Sequence, residues 1–165
     1  MDARSYCCVM TTTHVLAPVG GRAVALADVP DPVFSAGMVG YGAAVDPPRE
    51  VVTAVAPVSG KLLKLMPHAY VVLTSDGVGI LVHLGLDTVA LNGEGFTAHA
   101  AQGDEVTAGQ PVITYDVPAI EAKGLNPIVP VVVMDERDAA NVVPSAPVLH
   151  GDEIASGAGL FAANK

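Results

Sequence analysis

Ala17-Pro18-Val19-Gly20-Gly21-Arg22, followed by Leu26, recurs 39 residues later as Ala56-Pro57-Val58-Ser59-Gly60-Lys61, followed by Leu65. A second phrase, Gly103-Asp104-Glu105-Val106 with Gly109, returns as Gly151-Asp152-Glu153-Ile154 with Gly157. Self-similarity of this kind marks a duplicated unit. In each copy a glycine-containing turn separates short runs of Val, Ile and Leu, the punctuation of hairpins and not of helices. The 17 glycines and 13 prolines run along the whole chain and oppose long helices. The expectation is an all-β fold, an antiparallel β-sandwich or barrel with short strands in two packed layers and at most short helical turns. Strands are expected near residues 15–17, 22–26, 42–45, 51–55, 61–65, 69–74, 79–84, 111–115, 129–134 and 159–162, with a helical turn at Asp135 to Ala140.

Composition narrows the function. With 51% hydrophobic and 15% charged residues, the 165-residue chain can bury one sizeable core. It divides into a flexible tail, residues 1–14, and a single domain, residues 15–165, with Met1 and Met10 both available as starts. Eight Lys+Arg against 17 Asp+Glu leave a net charge of −9 and no cluster of cations for a phosphate backbone, so nucleic acid is not an expected partner. The charge-free stretch Pro32 to Val45 is short and interrupted by glycine, which does not suit a bilayer span. No apolar signal region opens the chain, so it is expected in the cytoplasm without direct membrane insertion. Cys7 and Cys8 are adjacent and form neither a C-x-x-C redox pair nor a zinc spacing; both are read as reduced thiols on the tail.

The chemistry concentrates in Met66 to Asp87, where two apolar runs flank Thr74-Ser75-Asp76-Gly77. Asp-Gly signals a two-residue hairpin loop. With that loop Ser75 faces Val78, Tyr70 opposes His83 and His68 opposes Gly85, so His68 and His83 share one face as diagonal neighbours. Ile80, Val82, Leu84 and Leu86 then line the core face, and Gly85 leaves room beside both rings. A three-residue loop or a bulge would shift this pairing by one and could turn a face over. A lone His in an apolar strand is usually a packed residue, but two converging imidazoles suggest a phosphohistidine intermediate or an incomplete metal site. His14, His99 and His150 are read as surface residues.

Several motifs resemble the glucose-type enzyme IIA domain of the bacterial phosphoenolpyruvate-dependent sugar phosphotransferase system. They are Leu26 to Phe34, Met38-Val39-Gly40-Tyr41-Gly42, Ala56 to Gly60, His68-Ala69, Val82-His83-Leu84-Gly85-Leu86-Asp87-Thr88-Val89, and Leu91 to Phe96. The resemblance implies a β-sandwich with a duplicated hybrid motif, in agreement with the repeats. It also implies a phosphotransferase in which His83 is the phosphorylated residue and His68 supports it by donating a hydrogen bond to phosphoryl oxygens. Phosphate would come from the small carrier HPr and leave to a cysteine of the enzyme IIB domain of a membrane sugar permease. No metal or organic cofactor is implied, and the family suggests a monomer. Asp87 and Asp31 match acidic positions that would attract a basic carrier. Asp87 with Thr88 equally reads as a strand end with local hydrogen bonds, and Asp31 as a turn former. Phe34, Val39, Met38 and Tyr70 match or lie beside the family's apolar docking ring or else pack the core, with docking favoured for Phe34. Where the family often has a supporting Thr this chain has Met66, so Thr74 or a backbone carbonyl is the expected substitute.

Other readings of these residues stand beside this one. A biotinyl- or lipoyl-type carrier shares the A-P-x-x-G phrase but needs a lysine at a hairpin tip, conventionally between methionines; Lys64 lies between leucines. The H-x-G-x-D spacing of His83 and Asp87 is that of some zinc peptidases of a related β-fold, which also need a downstream H-x-H pair that this chain lacks. Adventitious zinc at His68 and His83, or a non-catalytic binding domain, complete the alternatives.

Overall fold

Both A-P-V-x-G phrases carry the chain from a small sheet to a large one in the computed structural model, which describes residues 12–134, 136 and 138–164. Among these residues the strands are β1 (Thr12–Leu16), β2 (Gly21–Ala25), β3 (Gly40–Asp46), β4 (Val51–Val55), β5 (Gly60–Met66), β6 (Ala69–Leu73) and β7 (Gly79–His83), then β8 (Phe96–Ala98), β9 (Glu105–Val106), β10 (Pro111–Asp116), β11 (Val129–Met134), β12 (Val142–Pro144), β13 (Glu153–Ile154) and β14 (Gly159–Asn164). An eight-stranded antiparallel sheet runs β13-β2-β3-β11-β7-β6-β5-β9, and two three-stranded sheets run β1-β14-β12 and β4-β10-β8.

The order reads the same from both ends. β13, β2, β3 and β11 correspond to β9, β5, β6 and β7, and β1, β14 and β12 correspond to β4, β10 and β8. Hydrogen bonds repeat the relation at the 39-residue offset. Leu16 N–H donates to Pro57 O while Val55 N–H donates to Pro18 O, both at 2.9 Å. Each second phrase pairs with its first: Glu105 opposite Lys61, and Glu153 opposite Arg22. The repeats are thus two interlocked copies of one unit, meeting where β7 pairs with β11.

β11 lies at this seam, and Val129 to Val133 are all buried, which explains an apolar run without alternation. Val129, Val131 and Val133 join the main core between the layers; Val132 joins a second cluster on the other face of the large sheet, covered by Leu26, Val29 and Phe34. Pro130 stands at the level of His83 and has no N–H to give. The β7–β11 pairing accordingly stops at Val131↔Val82, and contact resumes with Gly85 N–H donating to Ile128 O at 3.1 Å. His83 therefore sits at a gap in the ladder.

The sequence expectations need several corrections. β1 begins at Thr12, so residues 12–14, expected in the tail, pair with β14; the rest of that tail, with both cysteines, lies outside the described residues. Strands β8, β9, β12 and β13 were not expected, being two or three residues long and recognisable only through their partners. Nor were the short helices Pro32–Ser35, Val117–Ala122 and Ala146–His150, of which the longest has six residues. The helical turn lies at Ala139–Asn141, with Asp135 outside the described residues.

The central hairpin is shifted by one. Gly77 N–H donates to Thr74 O at 3.0 Å, Thr74 N–H to Val78 O at 2.9 Å, and Val78 N–H to the Thr74 hydroxyl at 3.1 Å. The loop is thus Ser75-Asp76-Gly77, with Gly77 at φ 86°. Ala69 opposes His83, and Tyr70 opposes Val82. Tyr70 turns into the main core, fully buried, with its hydroxyl donating to Val55 O at 2.7 Å. It cannot belong to a docking ring.

Candidate active site at the His68–His83 pair

A one-residue shift should separate two histidines placed on one face by strict alternation, yet the rings of His68 and His83 lie 5.1 Å apart at 69°, edge to face. The turn resolves this. Met66 pairs with Ala69, so Pro67-His68 is a two-residue connection between β5 and β6, and His68 is free of strand alternation. Its backbone remains anchored, because Leu84 N–H donates to His68 O at 2.7 Å. Both imidazoles are half-buried.

His83 Nδ1 stands 2.5 Å from Gly85 O. A carbonyl only accepts, so this contact places the proton on Nδ1 and leaves the Nε2 lone pair free. Gly85 does more than clear space: its φ of 87° aims the carbonyl back at the ring, and a Cβ there would come within 2.6 Å of Thr88 Cγ2. Thr88 is itself buried, with its hydroxyl donating to Leu84 O at 2.8 Å. The same positive φ breaks the expected alternation, so Leu86 joins the second cluster while Ile80, Val82 and Leu84 fill the main core. The partner of the nucleophile-like ring is thus a backbone carbonyl; Thr74 closes the distant loop instead.

Burial pushes the His83 pKa below the ordinary histidine value, opposed by the Gly85 bond and by the charges of Asp31 and Asp87. For His68, burial acts first and the neighbouring His83 second, both lowering its pKa. Each ring is held toward its neutral form.

Asp31 is half-buried and accepts from Val33 N–H at 2.9 Å, capping the helix Pro32–Ser35. The turn-forming role and an electrostatic influence on His83 therefore coexist in one carboxylate. Asp87 is exposed at φ 61° and makes no capping bond with its side chain. Phe34 is buried in the second cluster with its ring centroid 5.4 Å from that of His83, a wall of the site more than a free docking group. Met38 is exposed and Val39 half-buried against the second cluster. Val33 and Val89, overlooked in the sequence, are exposed at 44% and 62% on the elements that follow Asp31 and Asp87. Val33 was legible in principle, since Asp31-Pro32 followed by Gly37 is a helix start and stop.

His14, His99 and His150 are all exposed and outside this group. Among the described residues no three His, Cys, Asp or Glu side chains gather closely enough to hold a metal ion, and no helix is long and apolar enough to cross a membrane. The arrangement is that of a neutral imidazole with one fixed tautomer, a second imidazole beside it, and carboxylates and apolar side chains around them.

Residues 13–139 match the family model described as phosphoenolpyruvate-dependent sugar phosphotransferase system, EIIA 1. The chain is 41% identical over 130 residues to the glucose-specific EIIA component of Oceanobacillus iheyensis, covering 78% of each. It is 45% identical over 119 residues to the mannose-specific EIIBCA component of Corynebacterium glutamicum, a match that takes in 72% of this chain and 17% of that longer protein. Its structure is similar to that of glucose permease IIA from Mycoplasma capricolum, with a TM-score of 0.80 at 33% identity, over 92% of this chain and 96% of the other.

Proposed function

Because this chain belongs to the EIIA 1 family of the phosphoenolpyruvate-dependent sugar phosphotransferase system, we propose that it is a phosphocarrier that takes a phosphoryl group on His83 Nε2 from HPr and passes it to a cysteine of an enzyme IIB domain. The observation that carries the reading is the bond from His83 Nδ1–H to Gly85 O. It holds the ring in the tautomer whose Nε2 is a nucleophile and fixes the direction in which that nitrogen points.

In the first step the phosphorus–nitrogen bond of the donor phosphohistidine breaks as a bond from phosphorus to His83 Nε2 forms. In the second, that bond breaks as a phosphorus–sulfur bond forms on the acceptor cysteine. Such transfers pass through a loose, in-line transition state, so positioning and charge stabilisation carry the catalysis. His68, with its ring at 5.1 Å, donates to the phosphoryl oxygens. Asp31 and Asp87 draw a basic carrier toward the site, and Val33, Met38, Val39 and Val89 form the apolar rim that excludes water on docking. Phe34 acts from beneath that rim, against the imidazole. The carrier works on the cytoplasmic side and as a monomer, needs no metal or organic cofactor, and does not touch the sugar. Relatives named for glucose and for mannose are consistent with a chain of this kind serving more than one sugar.

The test is the intact mass of the protein after incubation with phosphoenolpyruvate, enzyme I and HPr. The expected result is one acid-labile phosphate on the wild type, none on His83→Ala, and on His68→Gln a phosphate that is taken up but not passed on. Unphosphorylated wild type in the presence of active donors would overturn the reading.

A further inference from the structure

The segment from Asp31 to Met38 is a single helical turn closed at both ends. Asp31 caps its start, and Pro32 sits in the first turn, where a missing N–H does no harm. At its end Gly37, at φ 72°, donates to Phe34 O at 3.0 Å, and Met38 donates to Val33 O at 3.2 Å. These two bonds with a left-handed glycine make the Schellman closure.

Tyr41 of β3 lies over this closure. A Cβ at Gly37 would stand 2.8 Å from the Tyr41 hydroxyl oxygen and nearer still to two ring carbons, so the aromatic ring covers the glycine directly. Among the described residues Tyr41 is also the one partly buried side chain packed against both hydrophobic clusters. The turn it covers delivers two groups to the site: the Phe34 ring, 5.4 Å from the His83 ring, and the Asp31 carboxylate. Neither the capping bonds nor the helix, four residues long, would by themselves fix where the turn rests on the sheet.

We propose that Tyr41 is a positioning residue for His83: by lying over Gly37 it locks the capped turn in the placement that sets Phe34 against the imidazole and keeps water from it. The benefit to phosphoryl transfer rests on His83 being the acceptor; the placement itself does not.

The test is an imidazole NMR titration of the unphosphorylated full chain. The charged and titratable groups facing His83 are Asp31 from the capped turn, Asp87 beyond the end of β7, and His68 from the β5–β6 turn. Burial is the largest influence on this ring, so admitting water raises its titration midpoint toward the ordinary histidine value. Tyr41→Phe, which keeps the ring, is expected to titrate as the wild type. Tyr41→Ala and Tyr41→Leu are expected to shift His83 upward, and Phe34→Ala likewise. A wild-type midpoint for His83 in Tyr41→Ala would overturn the proposal, as would an equal shift in Tyr41→Phe. If Tyr41→Ala does not fold, Tyr41→Leu decides instead, since it removes the aromatic cover and leaves the left-handed Gly37 untouched. Phosphate uptake is measured separately: a chain that titrates as expected but takes no phosphate from HPr overturns the carrier function and leaves the role of Tyr41 standing.

Discussion

The role proposed for His83 combines two demands that ordinarily conflict. A nucleophilic imidazole must be neutral, yet it sits near Asp31 and Asp87, whose charges favour the imidazolium. Burial, the largest influence, settles the competition for the neutral ring. This has a pH signature. Between the lowered pKa of the folded chain and the ordinary value of 6.5, the unfolded chain binds more protons than the folded one, so stability falls as pH drops through that interval. Phosphate uptake is expected to decline on acidification with a midpoint below 6.5. Rapid-quench measurements with pre-phosphorylated HPr across that range check this, and a midpoint at or above 6.5 contradicts it. That His68 and His83 are candidates for one site was legible from their placement around a hairpin in an apolar stretch. That Gly85 O orients one of them was not, because a carbonyl has no sequence signature and its aim depends on a backbone φ of 87°.

The hairpin of β6 and β7 shows how one hydrogen-bonding group moves a whole element. Asp76-Gly77 favours a two-residue loop by composition, but the Thr74 hydroxyl accepts from Val78 N–H, and Thr74 and Val78 become the closing pair. Tyr70 thereby goes from the expected site face to the core. The conformation rests on Gly77, whose φ is 86° and beside which nothing lies within 4 Å. Gly77→Ala should therefore lose about 1 kcal/mol through backbone strain alone, and Gly77→Asn, which tolerates the left-handed region better, should lose less. Thermal unfolding of the two variants measures the difference. Equal losses would mean that the loop does not depend on that conformation.

Across the whole molecule the two copies of the repeat share one core, so neither half can bury its apolar surface without the other. Within one copy Tyr70 ties the two layers together: it belongs to the large sheet, and its hydroxyl donates to Val55 O in a small one. Tyr70→Phe leaves that carbonyl without its partner and should cost about 1–2 kcal/mol, with uptake of phosphate unchanged because the side chain lies in the core and not at the site. Denaturant unfolding and the phosphorylation assay together check this; slower uptake at full occupancy of the folded state would return Tyr70 to the docking surface. The duplication, the all-β class and the choice of His68 and His83 as candidate site residues were determined by the sequence itself. They follow from local rules of turn chemistry, alternation and recurrence that act within a few residues. The register of the hairpin, the release of His68 into a turn, the carbonyl behind His83 and the seating of Tyr41 on Gly37 were decided only in the tertiary structure. Each depends on which backbone group meets which partner across strands, a choice made by packing between segments far apart in the chain.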